Sequence, residues 1–391
     1  DVFKYLRGPE GTKVALKVKR SGIEKLLDFT IIRGKIPIRS LETSFMADAK
    51  TGYIKISRFS ATTYDEFMEA VAALKKQGME NLILDLRGNP GGYLDAATML
   101  ADEFLPDKKL IVYTEGKARP RKNYYATEKG DFEKGKVFVL IDEGSASASE
   151  ILAGALQDWD RAEIIGRRSF GKGLVQEQTL FPDGSAMRLT VARYYTPTGR
   201  SIQKPYKNGY MAYEEEVFDR FKHGEMVNAD STHFNDSLKY TTPGGKVVYG
   251  GGGIMPDLFI PIDTTADNEF ARSVFGLGLV SRFSYDYTDK NRNKLNAYKS
   301  IDDYIKNFAA DQRLLSDFFV YAIDNKVKPD EKSIHASKQL IANQLKANIG
   351  RLLFGNDAFY RVVLSDDKAF NAALQQSEST EQVMVKEAKE K

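Results

Sequence analysis

Three short segments hold the residue types that could do covalent chemistry. The first is Asp85-Leu-Arg-Gly-Asn-Pro-Gly-Gly92. A glycine-rich turn at a strand's carboxyl end leaves backbone N–H groups uncovered and can aim them at an anion. It serves equally as a tight turn that needs positive φ. The second is Val137-Phe-Val-Leu-Ile-Asp-Glu-Gly-Ser-Ala-Ser-Ala-Ser-Glu150. There a strand ends, small residues turn the chain and a helix begins. A serine at that corner meets the helix dipole and free N–H groups, which favour a developing oxyanion. Ser145, Ser147 and Ser149 compete as nucleophiles. Ser147-Ala-Ser-Glu150 also fits a capping box, and on this segment alone capping is the better reading. The third is Gly166-Arg-Arg-Ser-Phe-Gly-Lys-Gly173. It matches the first seven positions of a phosphate loop, Gly-x4-Gly-Lys, but the hydroxyl that would hold Mg²⁺ is replaced by Gly173. The adjoining residues, Leu174-Val-Gln-Glu-Gln-Thr179, are strand-like, where a phosphate loop opens a helix. Alone, Lys172 reads as a solvated loop lysine.

Together, the second and third segments suggest a serine nucleophile with a lysine base. The 391 residues include no Cys and three well-separated His, His223, His233 and His335. A cysteine nucleophile and thiolate or His-rich metal sites are therefore excluded. The base for a serine must be lysine or a carboxylate. Lysine serves only when neutral, and burial favours that form. Gly171 and Gly173 let the backbone fold tightly around Lys172, with Phe170 and Leu174 as an apolar wall. The 57 basic and 54 acidic residues leave a net charge of +3, which gives no electrostatic case for nucleic acid. No apolar run approaches the ~20 residues of a membrane-spanning helix. The chain opens on Asp1 without a signal segment, as a processed or trimmed form would.

The elements that must position these segments alternate strand and helix. Gly52–Ser57, Leu82–Leu86, Leu110–Tyr113 and Val137–Ile141 read as strands. Thr63–Lys76, Leu94–Leu105 and Ser147–Asp158 read as helices. That spacing predicts an α/β domain. Before it, Val14–Arg20 and Leu27–Ile32 read as strands, too few for an independent sheet. Residues 203–245 are polar and weakly periodic, an insertion before Gly250–Gly253 and a last strand, Leu258–Ile262. Asp302–Phe308, Gln312–Asn325 and Ile334–Leu353 are helical, and 376–391 read as a frayed tail.

Five motifs in order give the chain a family resemblance. They are Leu84–Gly92, Gly144–Ile151, Gly166–Gln176, Tyr194–Ile202 and Gly253–Asp257. Together they resemble the C-terminal processing (tail-specific) serine peptidases, which use a Ser-Lys dyad on a crotonase-like α/β core. The resemblance implies three parts: the latter half of a PDZ domain over 1–40, a peptidase core over 41–262 and a helical region over 263–391. It implies Ser147 as nucleophile, Lys172 as base and Gln176 as the residue that orients it. It implies an oxyanion hole from the N–H groups of Ala148 and Gly92, with Gly91 as fallback, and support from Glu150. Substrates would be proteins or peptides with accessible C-terminal tails, cut without metal, cofactor or nucleotide. The other reading is a silent peptide-binding module of the same fold. The helical region would cover the site, mediate homo-oligomerisation or bind an adaptor. The location would be extracytoplasmic, in a bacterial periplasm or envelope.

Overall fold

The computed structural model describes all residues except 1, 21, 22, 129, 207, 208, 233, 234, 329, 390 and 391, with side chains described as far as Glu378. The chain divides into two units, one of residues 1–38 with 263–366, the other of 39–262 with 367–391.

The first unit begins with α1 (Val2–Leu6), β1 (Lys13–Val18) and β2 (Leu27–Ile32). The two strands pair antiparallel with Lys13 opposite Ile32. Their apolar residues stay largely uncovered: Phe29, Ile31 and Ile32 are all exposed.

The second unit carries the site. Its main sheet contains β3 (Leu41–Met46), β4 (Thr51–Ile56), β5 (Asn81–Asp85), β8 (Val137–Ile141), β9 (Glu163–Gly166) and β14 (Leu258–Phe259), in the order β14-β9-β8-β5-β4-β3. All neighbours are parallel except β3 and β4. β5 and β8 are buried at every position, which is why they read as unbroken apolar runs. Their alternate residues Leu82, Leu84, Val137 and Val139 pack under α2 (Thr63–Lys75), α3 (Leu94–Asp102) and α4 (Ala148–Asp158). A second, antiparallel sheet in the order β10-β11-β6-β7 is built from β6 (Leu110–Gly116), β7 (Arg119–Tyr125), β10 (Leu174–Leu180) and β11 (Ala186–Tyr195). The register slips between Val175 and Gln176, so Val191 has no opposite residue. Such a bulge re-aims the side chains beside it.

The stretch 203–245 holds a helix that its pattern did not announce, α5 (Gly209–Lys222), besides the short β12 (Lys239–Thr241) that pairs with β13 (Val247–Tyr249). The reason is visible in the packing. The buried residues of α5 are Tyr213 and Arg220, so its inner face carries polar side chains and shows no apolar period.

After α5 come the helices of the first unit: α6 (Glu269–Gly276), α7 (Leu279–Lys290), α8 (Arg292–Leu295), α9 (Ile301–Asn307), α10 (Gln312–Asp324), α11 (Glu331–Phe354) and α12 (Asn356–Val363). Asn268, Ser300, Asp311 and Asp330 cap α6, α9, α10 and α11 through their side chains. The helices close on a core that includes Phe283, Tyr304, Phe318, Ile341 and Leu345.

The helical region, expected as one piece from 263, is split between the units. The last helix, α13 (Lys368–Lys389), belongs with the second unit. Ser377 bonds Thr51 and Asn81 at 3.0 and 3.1 Å, and Phe370 meets the Tyr53 ring edge-on. The stretch expected to fray thus begins on a helix that packs at Ser377.

Candidate active site

The glycine turn leaves β5 through a buried charge cluster. Asp85 accepts from Tyr53 Oη at 2.7 Å and from Arg87 Nη2 at 2.6 Å, with Lys55 Nζ at 3.5 Å. Burial pushes the Asp85 carboxyl up, but Arg87 and Lys55 outweigh it and hold the group well below the usual carboxylate range. Arg87 also reaches Asp367 at 2.7 Å. Within the turn, Asn89 Oδ1 accepts the Gly91 N–H at 2.8 Å, and the Gly91 carbonyl takes the Phe59 N–H at 3.0 Å. The Gly92 N–H has no partner among the described residues. A Cβ on Gly91 would lie 2.7 Å from both Ser147 Cβ and Ala148 N, and one on Gly92 would overlap the Phe59 carbonyl oxygen. With φ of 94° and 151°, both positions demand glycine.

Ser147 is the N-cap of α4, with φ 55° and ψ −112°. A non-glycine residue there is strained by about 1–3 kcal/mol, which surrounding contacts must hold. The largest of these is Glu150. Its carboxylate is fully buried and accepts four bonds: Ser147 N at 2.8 Å and Lys172 N at 2.9 Å on Oε2, Ser169 Oγ at 2.5 Å and Gly171 N at 2.7 Å on Oε1. Burial pushes its pKa above the ordinary value while the four donors pull it back. The cap and the site therefore share one carboxylate.

The competing serines are engaged elsewhere. Ser145 and Ser149 are fully buried. Ser145 Oγ donates to the Leu86 carbonyl at 2.8 Å and Ser149 Oγ to the Asn89 carbonyl at 3.0 Å. Ser147 instead lines a cavity of about 760 Å³ with Lys172, Gln176, Ala148, Gly91 and Gly92. The Ala148 N–H, like that of Gly92, has no partner among the described residues. No hydrogen bond joins Ser147 Oγ to Lys172 Nζ, or Gln176 to Lys172. Such contacts are often open in a site without substrate. His223 and His335 are exposed, and His233 lies outside the described residues.

The lysine loop is fully bonded. From Ser169 to Gly173 every backbone N–H and C=O has a partner. The N–H groups go to Ile254 O, Ser145 O, both Glu150 oxygens and Gln203 Oε1. None is left for a phosphate, so the loop lacks the anion cradle that its glycines and lysine suggested. Phe170, expected as a wall for Lys172, packs its ring 3.8 Å from Lys204 Nζ.

This geometry belongs to a stretch with known relatives. Residues 50–208 match peptidase family S41. A family of unknown function, DUF8443, matches residues 270–355. A carboxyl-terminal-processing protease of Synechocystis sp. is 36% identical over 252 residues, which is 64% of this chain and 58% of that protein. A carboxy-terminal-processing protease of Bartonella bacilliformis is 41% identical over 208 residues, 52% of this chain and 47% of that one. The chain thus spans about half the length of the curated relatives it matches. Among solved structures, a photosystem II D1 C-terminal processing protease aligns at 33% identity and a TM-score of 0.38, covering 50% of this chain and 54% of that one.

Two sets of residues around the site went unread in the sequence. Within the S41 stretch, Tyr194 on β11 is buried and donates its hydroxyl to the Lys172 carbonyl at 2.8 Å and the Ser147 carbonyl at 3.1 Å. Beyond that stretch, Arg220 on α5 holds the carbonyls of Ser169 and Phe170 at 2.7 and 3.1 Å. Lys204, buried and still within the S41 stretch, bonds Glu216 of α5 at 3.1 Å, and burial lowers its pKa. The only sequence signal for Tyr194 was its place in the Tyr194–Ile202 motif. Arg220 had none.

Proposed function

We propose that the chain is a serine endopeptidase that cuts proteins or peptides at or near their C-terminal tails. Ser147 is the nucleophile and Lys172 the base. Neutral Lys172 takes the Ser147 proton as the serine oxygen attacks the peptide carbonyl. The N–H groups of Ala148 and Gly92 hold the oxyanion. Protonated Lys172 then gives its proton to the leaving amine, and water hydrolyses the acyl-enzyme by the same route. Gln176 orients Lys172 once substrate is bound.

One observation carries the reading: Ser147 alone of the three serines opens on the cavity that Lys172 lines, and its backbone shares one Glu150 oxygen with that of Lys172. The unspent N–H of Gly92, against the engaged N–H of Gly91, favours Gly92 in the oxyanion hole. The names of the relatives support the tail-processing activity. We read the core as crotonase-like, residues 1–40 as part of a PDZ-like module and the location as extracytoplasmic. The helical region is proposed to serve assembly or an adaptor.

The test is gel-monitored digestion of a protein with an unstructured apolar tail, by this chain and its Ser147→Ala and Lys172→Ala forms. Cleavage by the unaltered chain alone is the expected result. Persistence of cleavage in Ser147→Ala would overturn the assignment. Tail binding without cleavage by any form would point to a peptide-binding module.

A further inference from the structure

We propose that Tyr194 is a positioning residue for the Ser147–Lys172 pair, its hydroxyl fixing the backbone of the lysine loop against that of the serine. The inference rests on the reading of those two residues as nucleophile and base.

The bonding is lopsided in an informative way. The hydroxyl has one hydrogen and two acceptors, Lys172 O at 2.8 Å and Ser147 O at 3.1 Å. The Ser147 carbonyl also accepts the N–H groups of Glu150 and Ile151 at 2.9 and 3.0 Å. The Lys172 carbonyl has no other partner among the described residues. Loss of the hydroxyl therefore strands the lysine side and leaves the serine side bonded.

Tyr194 stands opposite Glu150 in this arrangement. Glu150 takes the N–H groups of Ser147 and Lys172; Tyr194 takes their C=O groups. Two side chains thus grip both peptide groups of the pair. The tyrosine itself is anchored. Its N–H bonds the Gly173 carbonyl at 3.1 Å, and it pairs with Thr114 across the sheet. Burial, with the Glu150 charge beside it, pushes the phenol pKa well up, so it remains a donor wherever the peptidase works. Its ring also lines the cavity that holds Ser147.

The test compares the unaltered chain, Ser147→Ala and Tyr194→Phe, reading kcat, KM, the pH profile and Tm on one peptide substrate. A displacement of catalytic groups by about 1 Å costs on the order of a hundredfold, so a fall in kcat of about ten- to a hundredfold is expected for Tyr194→Phe. KM should stay close to that of the unaltered chain, and the pH profile of kcat should change. A merely structural tyrosine would lower Tm and leave the kcat and pH profile of the folded fraction unchanged; that result overturns the proposal. Should Tyr194→Phe fail to fold, 4-fluorophenylalanine at position 194 fills the space of the hydroxyl and removes only the donor. An unchanged kcat there overturns the proposal as well. The two readings fail differently. An unaltered chain that cuts nothing sinks the peptidase assignment and Tyr194 with it, whereas full activity in Tyr194→Phe sinks the Tyr194 proposal alone.

Discussion

Replacing Glu150 by glutamine keeps the shape of the side chain and exchanges one acceptor oxygen for an NH₂. With the NH₂ in the place of Oε2, two backbone N–H groups, of Ser147 and Lys172, face a donor. With the NH₂ in the place of Oε1, the Ser169 oxygen, which already accepts the Ile254 N–H, can accept once more as its O–H turns away, and the Gly171 N–H is the one backbone donor stranded. The second arrangement is the cheaper and leaves the serine and lysine on a shared oxygen. One stranded buried donor costs about 1–3 kcal/mol. Relief of the buried charge works the other way and keeps the loss toward the lower end. At about 2–4 °C per kcal/mol for a unit of this size, Tm should fall by about 2–6 °C at neutral pH. Glu150→Ala strands the N–H groups of Ser147, Gly171 and Lys172 together, about 3–9 kcal/mol, which approaches the whole stability of a domain. Thermal melts followed by circular dichroism, with peptide cleavage on the same samples, read both effects. Glu150→Gln should stay folded and partly active, and Glu150→Ala should be lost on both counts. Glu150→Ala that melts with the unaltered chain and still cuts would refute the reasoning. A folded but inactive Glu150→Gln would show that the charge matters, not the geometry.

The Asp85 cluster sets an acid limit. Its folded-state pKa is depressed, so its contribution is present above the ordinary carboxylate pKa of about 3.9 and fades as pH falls toward the folded value. Asp85→Asn should lose about 3–5 kcal/mol at neutral pH, because the buried carboxylate charge beside Arg87 and Lys55 is removed, and its Tm should then vary less between pH 5 and pH 3 than that of the unaltered chain. An equal slope in urea or thermal unfolding would count against this. Arg220→Lys keeps one charge but cannot span the carbonyls of Ser169 and Phe170. It should lower kcat more than Arg119→Lys, whose surface pair with Glu177 is half exposed; equal kinetics in the two variants would remove α5 from any role in the site.

What was legible in the sequence is what is local. β5 and β8 are short apolar runs because helices cover them. The Ser147–Glu150 bond closes over three residues, and the glycines flank Lys172 directly. What was hidden depends on contacts between distant residues. Arg87 finds Asp367 from 280 positions away, Ser377 finds Thr51 from 326 and Arg220 finds Ser169 from 51. α5 escaped because its inward residues are a tyrosine that packs against Phe170 and an arginine that bonds the Ser169 and Phe170 carbonyls, not an apolar stripe. The order of the two glycines could not be read either. Only the Asn89 side chain, folded back onto the Gly91 N–H, distinguishes Gly91 from Gly92.

Capping and catalysis looked like rival readings of Ser147-Ala-Ser-Glu150, and the burial of Glu150 shows why they are not rivals. A capping box is worth about 0.5–2 kcal/mol, and its carboxylate normally stays near water, where it needs a single N–H. Glu150 is fully buried, and a buried charge costs several kcal/mol. A cap alone would not repay that. The four donors do, and three of them come from the 169–172 loop, which has no part in starting the helix. The burial makes sense only if joining that loop to the head of α4 matters more than closing α4. The strained φ of Ser147 points the same way, since a cap needs no strain. Both costs fall on the two segments whose meeting would make a serine reactive.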